Sequence, residues 1–197
     1  AETLGRIQTK LKKSKVCDQI TQTWNDWENN RGRVIRKVQA KFKGQRLIVR
    51  SSSIEEDGWE TANAGIFESI LDVDCNDAEA VGAAIENVFL SYGDLPSHAQ
   101  VLIQPFIKDV VMSGVLFTCD LITGAPYYVI NYDDVSGRTD SITSGQVIGP
   151  RTMIVFRHEI NSILSIDPRL GKVIDAAQEL EQLLGYPKIL DHHQLCY

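Results

Sequence analysis

The sequence predicts an α+β fold in which a mostly antiparallel sheet is flanked by helices. Apolar residues recur at helical spacing within residues 1–43, 81–92 and 172–184, and a glycine follows each segment. Between the last two segments, four runs rich in β-branched and aromatic residues are separated by Gly and Pro, which is typical of antiparallel strands. These runs are Val101–Ile107, Val110–Thr118, Tyr127–Tyr132 and Met153–Phe156.

The N-terminal third is predicted to pass from helix to strand at Gly44. Leu4, Ile7 and Leu11 share one helical face, and so do Val34, Val38 and Phe42. We therefore predict a helical N-terminal piece over residues 1–44 and place the rest of the fold in residues 45–197, within one region. The short apolar run Leu47–Val49 predicts a buried strand that ends at Arg50.

The remaining boundaries are predicted from capping and turn residues. Asn76 or Asp77 is suited to cap the helix that contains Val81 to Tyr92. Gly124-Ala125-Pro126 predicts a turn between two strands. The last helix is expected over about Lys172–Leu184, with Gly185 as its C-terminal stop.

Composition narrows the class of protein. The 197 residues are 43% hydrophobic and 23% charged, as in an ordinary globular domain. A net charge of −6 argues against a surface dedicated to nucleic acid or anionic membrane. No apolar run approaches a membrane span, and residues 1–20 lack a secretory signal, so a cytoplasmic protein is expected. The four cysteines are dispersed, which predicts reduced thiols, and we predict no metal-ligating residues.

The densest polar segment is V-R-S-S-S-I-E-E-D over residues 49–57. A strand that ends at Arg50 would deliver its guanidinium, with Ser51 and Ser52, into one loop. Arginine presents a planar fork of donors that matches phosphate oxygens, so the segment is a candidate oxyanion site. The alternative is a surface turn, in which the serines bond their own backbone and Arg50 pairs with a nearby carboxylate.

Three further positions are candidates for ligand contacts. Gly65, in A-G-I-F-E-S, would let the backbone approach a ligand closely, and Ser69 supplies a hydroxyl in the same segment. Gln104 interrupts an apolar run just before a proline, and Thr118 follows another such run. A plain turn, a sheet edge and a core strand explain these positions equally well.

Taken in order, these motifs resemble one known family. V-R-S-S-S-I-E-E-D, A-G-I-F-E-S, V-L-I-Q, S-G-V-L-F-T-C-D-L-I-T-G and S-G-R-T-D-S-I-T-S-G occur in the expected sequence, most strongly over residues 45–145. The chain is similar to the N-terminal nucleotide-binding domain of pyruvate phosphate dikinase and phosphoenolpyruvate synthase. The resemblance implies an ATP-grasp-like fold that binds ATP and Mg²⁺. Rifampicin phosphotransferases and glucan water dikinases share this domain.

The resemblance also implies roles for particular residues. Arg50 matches the phosphate-binding arginine, which makes it the expected catalytic residue, and Glu56-Asp57 match the acidic pair that follows it. Gly65 matches a nucleotide-contacting glycine, and Ser69 stands at the position of a threonine that contacts the nucleotide. Gln104 matches the glutamine that borders adenine. Ser51, Ser52 and Thr118 complete the expected nucleotide-binding set.

The sequence departs from the family pattern in several places. Leu121 replaces the usual proline, and Asp140 replaces a glutamate. Residues 1–4 resemble the end of the family's Gly-Gly-Lys-Gly-Ala-x-Leu segment, which implies that the ATP-contacting lysine precedes residue 1. Asp191 either matches the Asp of the metal-binding D-I-E motif, with His193 in place of Glu, or that motif lies outside this chain.

The implied activity is that of a phosphoenolpyruvate synthase-like phosphotransferase. This region would bind ATP, and phosphate would pass to a histidine on a separate domain and then to pyruvate on a third domain. We therefore expect the chain to be the ATP-binding portion of a longer enzyme and to be inactive alone. Two alternatives stay open: another phosphate acceptor, such as a drug or a glucan, and a degenerate, non-catalytic nucleotide-binding module.

Overall fold

The computed structural model describes residues 2–52, 68–93, 99–138, 151–159, 167–185, 189–191 and 195–196. Five helices lie in these ranges: α1 (Glu2–Ile7), α2 (Trp24–Asn29), α3 (Arg31–Lys41), α4 (Ala78–Leu90) and α5 (Pro168–Leu184). Ten strands lie there as well: β1 (Lys15–Val16), β2 (Ile20–Thr23), β3 (Arg46–Ser51), β4 (Ser69–Asp74), β5 (Gln100–Pro105), β6 (Ser113–Phe117), β7 (Tyr127–Asp133), β8 (Arg151–Phe156), β9 (Ile189–Asp191) and β10 (Leu195–Cys196). The predicted α+β class with antiparallel pairing is confirmed.

The chain forms two compact units, which divide after Cys17 and again after Ile107. The first unit spans Asp18–Ile107, and the second combines Glu2–Cys17 with Lys108–Tyr197. The predicted division at residue 44 falls inside the first unit, between α3 and β3. No helix in the described ranges is both long and apolar enough to cross a membrane.

The first unit is built on a four-stranded antiparallel sheet in the order β2-β5-β3-β4. Alternate residues of a strand face opposite sides, so Leu47 and Val49 of β3 point one way and Ile48 and Arg50 the other. Leu47 and Val49 belong to the core that α2, α3 and α4 complete. The fully or almost fully buried members of this core include Trp27, Val38, Ile85 and Phe89 of the helices and Phe42, the C-cap of α3.

Helix α4 begins where its capping residue predicts. Asp77 Oδ1 accepts hydrogen bonds from the backbone N–H groups of Glu79 and Ala80, at 2.9 and 3.0 Å. These are donors that the first turn of a helix leaves without a partner. Of the two predicted caps, Asp77 is therefore the one that acts.

The second unit pairs a sheet in the order β8-β7-β6-β9 with helix α5. Leu170, Ile174 and Ala177 of α5 are buried against Leu116 and Tyr128 of the sheet. The side chain of Asp167 caps the N-terminus of α5, and Gly185 ends the helix in the left-handed conformation with φ 81°. The predicted stop at Gly185 is confirmed, because glycine adopts this conformation without a Cβ clash.

The prediction of a helical piece over residues 1–44 is only partly right. Helices α1, α2 and α3 lie there, but strands β1 and β2 separate α1 from α2. Ile20, Thr21 and Thr23 are β-branched, and burial alternates along β2, so this segment suits a strand that is half buried against β5. The helical spacing at either end concealed this short alternating segment.

Gly114 of β6 is required by close backbone packing against β7. A Cβ atom at this position would lie 2.4 Å from the backbone oxygen of Asn131 and 2.9 Å from the Cα of Tyr132. We expect Gly114→Ala to destabilise the protein by about 1–3 kcal/mol, the usual cost of forcing an atom into packed structure. Urea denaturation measures the change. Gly5→Ala is the matched control, since its Cβ meets nothing within 4 Å, and an equal loss in both variants would contradict the packing argument.

Candidate functional site

Arg50 and Ser69 lie side by side on the sheet of the first unit. Arg50 of β3 is the register partner of Ser69, the first residue of β4. Directly opposed residues of an antiparallel pair have Cβ atoms about 4.5–5.5 Å apart on one face. The guanidinium and the hydroxyl therefore project from neighbouring positions on the face opposite the helical core. Ser69 is exposed and Arg50 is half-buried.

Gln104 lies on the same face of this sheet. It is the register partner of Ile48 on β5, and Ile48 and Arg50 are two residues apart on β3. Gln104 is only 2% exposed, although glutamine is usually a surface residue. Its Nε2 donates a long hydrogen bond of 3.4 Å to Oε1 of Gln19. The sheet thus brings together three of the residues that the sequence singled out: Arg50, Ser69 and Gln104.

Ser51 does not lie on the face of Arg50, as the sequence had suggested it would, and Ser52 follows the end of the strand. Ser51 is the last residue of β3 and faces the side opposite to Arg50, where it is 5% exposed. The backbone N–H of Ser52 donates to Gln100 O and to Tyr92 Oη, both at 2.9 Å. Strand β3 continues one residue beyond Arg50, so the alternation of side chains puts Ser51 on the opposite face.

A second arginine on β3 is held by carboxylates. Nε of Arg46 donates to Asp72 Oδ1 at 2.8 Å, its Nη2 donates to the backbone oxygen of Asp72, and Nη1 lies 3.5 Å from Asp74 Oδ2. Asp72 has φ 59°, at an irregularity in the pairing of β3 with β4. Arg46 therefore braces this irregularity, although it shares a strand face with Arg50.

Thr118 lies in the second unit, immediately after β6, and is fully buried. Its backbone oxygen accepts a 2.7 Å hydrogen bond from Arg157 Nη1. Thr118 and Arg157 line an open groove of about 750 Å³ in this unit. The other lining residues are Cys119, Gly124, Pro126, Gln178, Glu181, Gln182 and Gly185.

Arg157 is the best-connected charged residue of this groove. It pairs with Glu181 through two hydrogen bonds of 2.8 and 2.5 Å, and its guanidinium carbon lies 4.7 Å from the centre of the Tyr128 ring. Hydrogen bonding to Glu181 raises the pKa of Arg157, and burial raises the pKa of Tyr128. Arg157 and Glu181 are 24 residues apart, so no local sequence pattern links them or predicts their pairing.

The D-L-I-T-G turn that contributed to the family resemblance is stabilised from within. Asp120 Oδ1 accepts hydrogen bonds from the backbone N–H groups of Ile122 and Thr123 and from the Thr123 hydroxyl. Gly124 has φ 68°, which favours glycine. Leu121, which stands where the family has proline, is 59% exposed. The Asp, Thr and Gly of this motif therefore build the turn between β6 and β7 at the predicted place.

The Asp120 turn makes stability depend on pH. The hydrogen bonds from Thr123 lower the pKa of Asp120, so the folded state favours the carboxylate. The stabilisation is therefore complete above the ordinary aspartate pKa of about 3.9 and is lost as the pH falls through the lower folded value. We expect Asp120→Ala to lower the Tm at pH 7 and to lower it less at pH 3. Thermal melts at both pH values test this, and an equal loss at both would contradict it.

Several predicted positions lie outside the described residues. They are Glu56, Asp57, Gly65, Asp140 and His193. Asp191 lies in β9, whose backbone is described. In the described part of the chain, no group of three or more His, Cys, Asp or Glu side chains is placed to hold a metal ion.

Comparison with known proteins adds no relative: no protein-family model matches the sequence, and no curated protein matches it.

Proposed function

We propose that the chain is the ATP-binding portion of a phosphoenolpyruvate synthase-like phosphotransferase. The observation that supports this best is the strand register that puts Arg50, Ser69 and Gln104 on one face of one sheet. These three residues come from three separate sequence motifs, each of which the family resemblance assigns to nucleotide binding. Phosphate would pass from ATP to a histidine on another domain and then to pyruvate.

In this proposal Arg50 and Ser69 hold the phosphates of ATP. The guanidinium offers two parallel N–H donors to phosphate oxygens, and such charge-assisted bonds are about twice as strong as neutral ones. The adjacent Ser69 hydroxyl donates to the same anion. As negative charge shifts between oxygens during phosphoryl transfer, the fixed cation of Arg50 stabilises the transferring group.

Gln104 contacts the base in this proposal. A carboxamide carries both a donor and an acceptor, and an adenine edge also presents one of each. Gln104 is only 2% exposed, so water does not readily take its place when an apolar residue is substituted for it. The polar edge of the base would then lack a hydrogen-bond partner, which costs binding free energy. Gln104 therefore favours adenine, while Arg50 and Ser69 act on any nucleoside triphosphate.

Magnesium is expected with ATP in this chemistry, because a divalent cation offsets charge on the phosphates. Among the residues that the structure describes, no cluster of suitable ligands is placed to hold this ion. We therefore assign no step of the reaction to a metal held by these residues.

Calorimetric titration with ATP, GTP and tripolyphosphate tests the proposal. We expect ATP to bind and tripolyphosphate to compete with it, because Arg50 and Ser69 contact only the phosphates. In Gln104→Leu, the preference for ATP over GTP should fall while the affinity for tripolyphosphate stays unchanged. Absence of ATP binding, or binding that tripolyphosphate does not reduce, would contradict the proposed site.

A further inference from the structure

Positive charge is concentrated in one segment of a chain that is acidic as a whole. Residues 31–46 hold seven of the 20 Lys and Arg residues and none of the 26 Asp and Glu residues. The rest of the chain therefore carries twice as many acidic as basic residues. Helix α3 forms most of this segment, so the charge is arranged along a helix of about 16 Å, at 1.5 Å per residue.

Some cations of this segment are engaged within the first unit. Arg31 pairs with Glu86 at 3.0 Å and lies over the Trp27 ring. Lys41 Nζ donates to the backbone oxygen of Gln19 at 2.9 Å. Arg46 is held by carboxylates of β4. These three residues support the fold, so they are not the ones that define a surface for a partner.

Four other cations are exposed, and they have no acidic partner among the described residues: Arg33, Arg36, Lys37 and Lys43. Val34 and Val38 face the core, and at 100° per residue Arg33, Arg36 and Lys37 project from the opposite side of α3. We call these four residues the basic face. Like charges at such spacing repel one another, so the arrangement costs stability unless an anion covers it.

We propose that the basic face binds a short acidic segment of a partner protein. A bilayer is disfavoured, because the apolar stripe of α3 is buried in the core and cannot insert. A long polyanion such as a nucleic acid is disfavoured by the net charge, because the chain outside this segment carries twice as many acidic as basic residues. A short peptide with several carboxylates matches the charge of the basic face, and about five extended residues, at about 3.3 Å per residue, span α3.

Binding of fluorescein-labelled decaglutamate, measured by anisotropy at low ionic strength, tests this proposal. Three exposed ion pairs correspond to about tenfold in Kd, so the triple variant Arg33→Glu/Arg36→Glu/Lys37→Glu should weaken binding at least tenfold. Raising the salt concentration should weaken binding by the wild type as well, since exposed pairs are screened. The triple variant Arg33→Gln/Arg36→Gln/Lys37→Gln introduces no negative charge, and it should also bind decaglutamate more weakly than the wild type.

The matched control is Lys10→Glu/Lys12→Glu/Lys172→Glu, which changes the net charge equally at exposed positions of the second unit. We expect this control to bind decaglutamate within about twofold of the wild type, because the basic face is unchanged. Loss of affinity equal to that of the α3 variant would overturn the proposal and leave only a net-charge effect. No decaglutamate binding, or tighter binding of a ten-nucleotide thymidine strand, would also overturn it. Retained ATP binding in the α3 variant separates this proposal from the nucleotide site.

Discussion

Arg50→Ala is expected to weaken ATP binding by at least about 100-fold, because a hydrogen bond to a charged group contributes about 1.5–3 kcal/mol and the guanidinium makes two of them. The fold should persist, since Arg50 projects from the sheet face opposite the helical core. Calorimetric titration with ATP measures the loss, and far-ultraviolet circular dichroism checks the fold.

Arg46→Ala is the matched control for this result. Both arginines lie on the same face of β3, four residues apart, but Arg46 is paired with Asp72 and Asp74. Its loss should lower the free energy of unfolding only slightly, because exposed ion pairs contribute about 0.2–1 kcal/mol each. The affinity for ATP should stay within about twofold, because the Arg46 guanidinium is bonded to carboxylates of β4. Equal weakening in both variants would show that general positive charge, and not Arg50, holds the phosphates.

Arg157→Ala is expected to destabilise the protein by about 3 kcal/mol, because breaking a largely buried ion pair leaves one charge without compensation. Glu181, its partner, is only 13% exposed at the side chain, so its carboxylate would be stranded. The variant also loses the hydrogen bond to Thr118 O and the contact with the Tyr128 ring. Urea denaturation, read as the midpoint with the slope held constant, measures the change.

A double variant separates the charge effect from the loss of packing. In Arg157→Met/Glu181→Leu both charges are replaced by apolar groups of similar size, and such replacements are often neutral. We therefore expect the double variant to recover most of the stability that Arg157→Ala loses. A double variant as unstable as the single variant would contradict the explanation based on a stranded charge.

The spacing of apolar residues predicted most of the helices and strands, because the buried side of each element requires apolar residues at regular intervals. The short apolar run Leu47–Val49 predicted β3, and the helical spacing from Val81 to Tyr92 predicted α4. Strands β1 and β2 were not predicted, because they have two and four residues, which are too few for an alternating pattern to be recognised between helices. Capping and turn chemistry placed Asp77, Gly124 and Gly185 correctly, since each acts through its own neighbours in the chain.

The candidate site was only partly predictable, because local motifs select residues but do not determine how strands pair. Residue types in local motifs selected Arg50, Ser69 and Gln104, but their common face depends on the register of three strands. That register includes an irregularity beside Asp72, which no local pattern encodes. The pairing of Arg157 with Glu181 joins a strand end to a helix and was missed entirely.

The most direct test of the nucleotide site is an amide chemical-shift titration of the ¹⁵N-labelled chain with ATP. Our account predicts that the largest changes occur at and beside Arg50, Ser69 and Gln104, on the three adjacent strands β3, β4 and β5. Changes confined to the groove beside Thr118 and Arg157, or no changes at millimolar ATP, would contradict it.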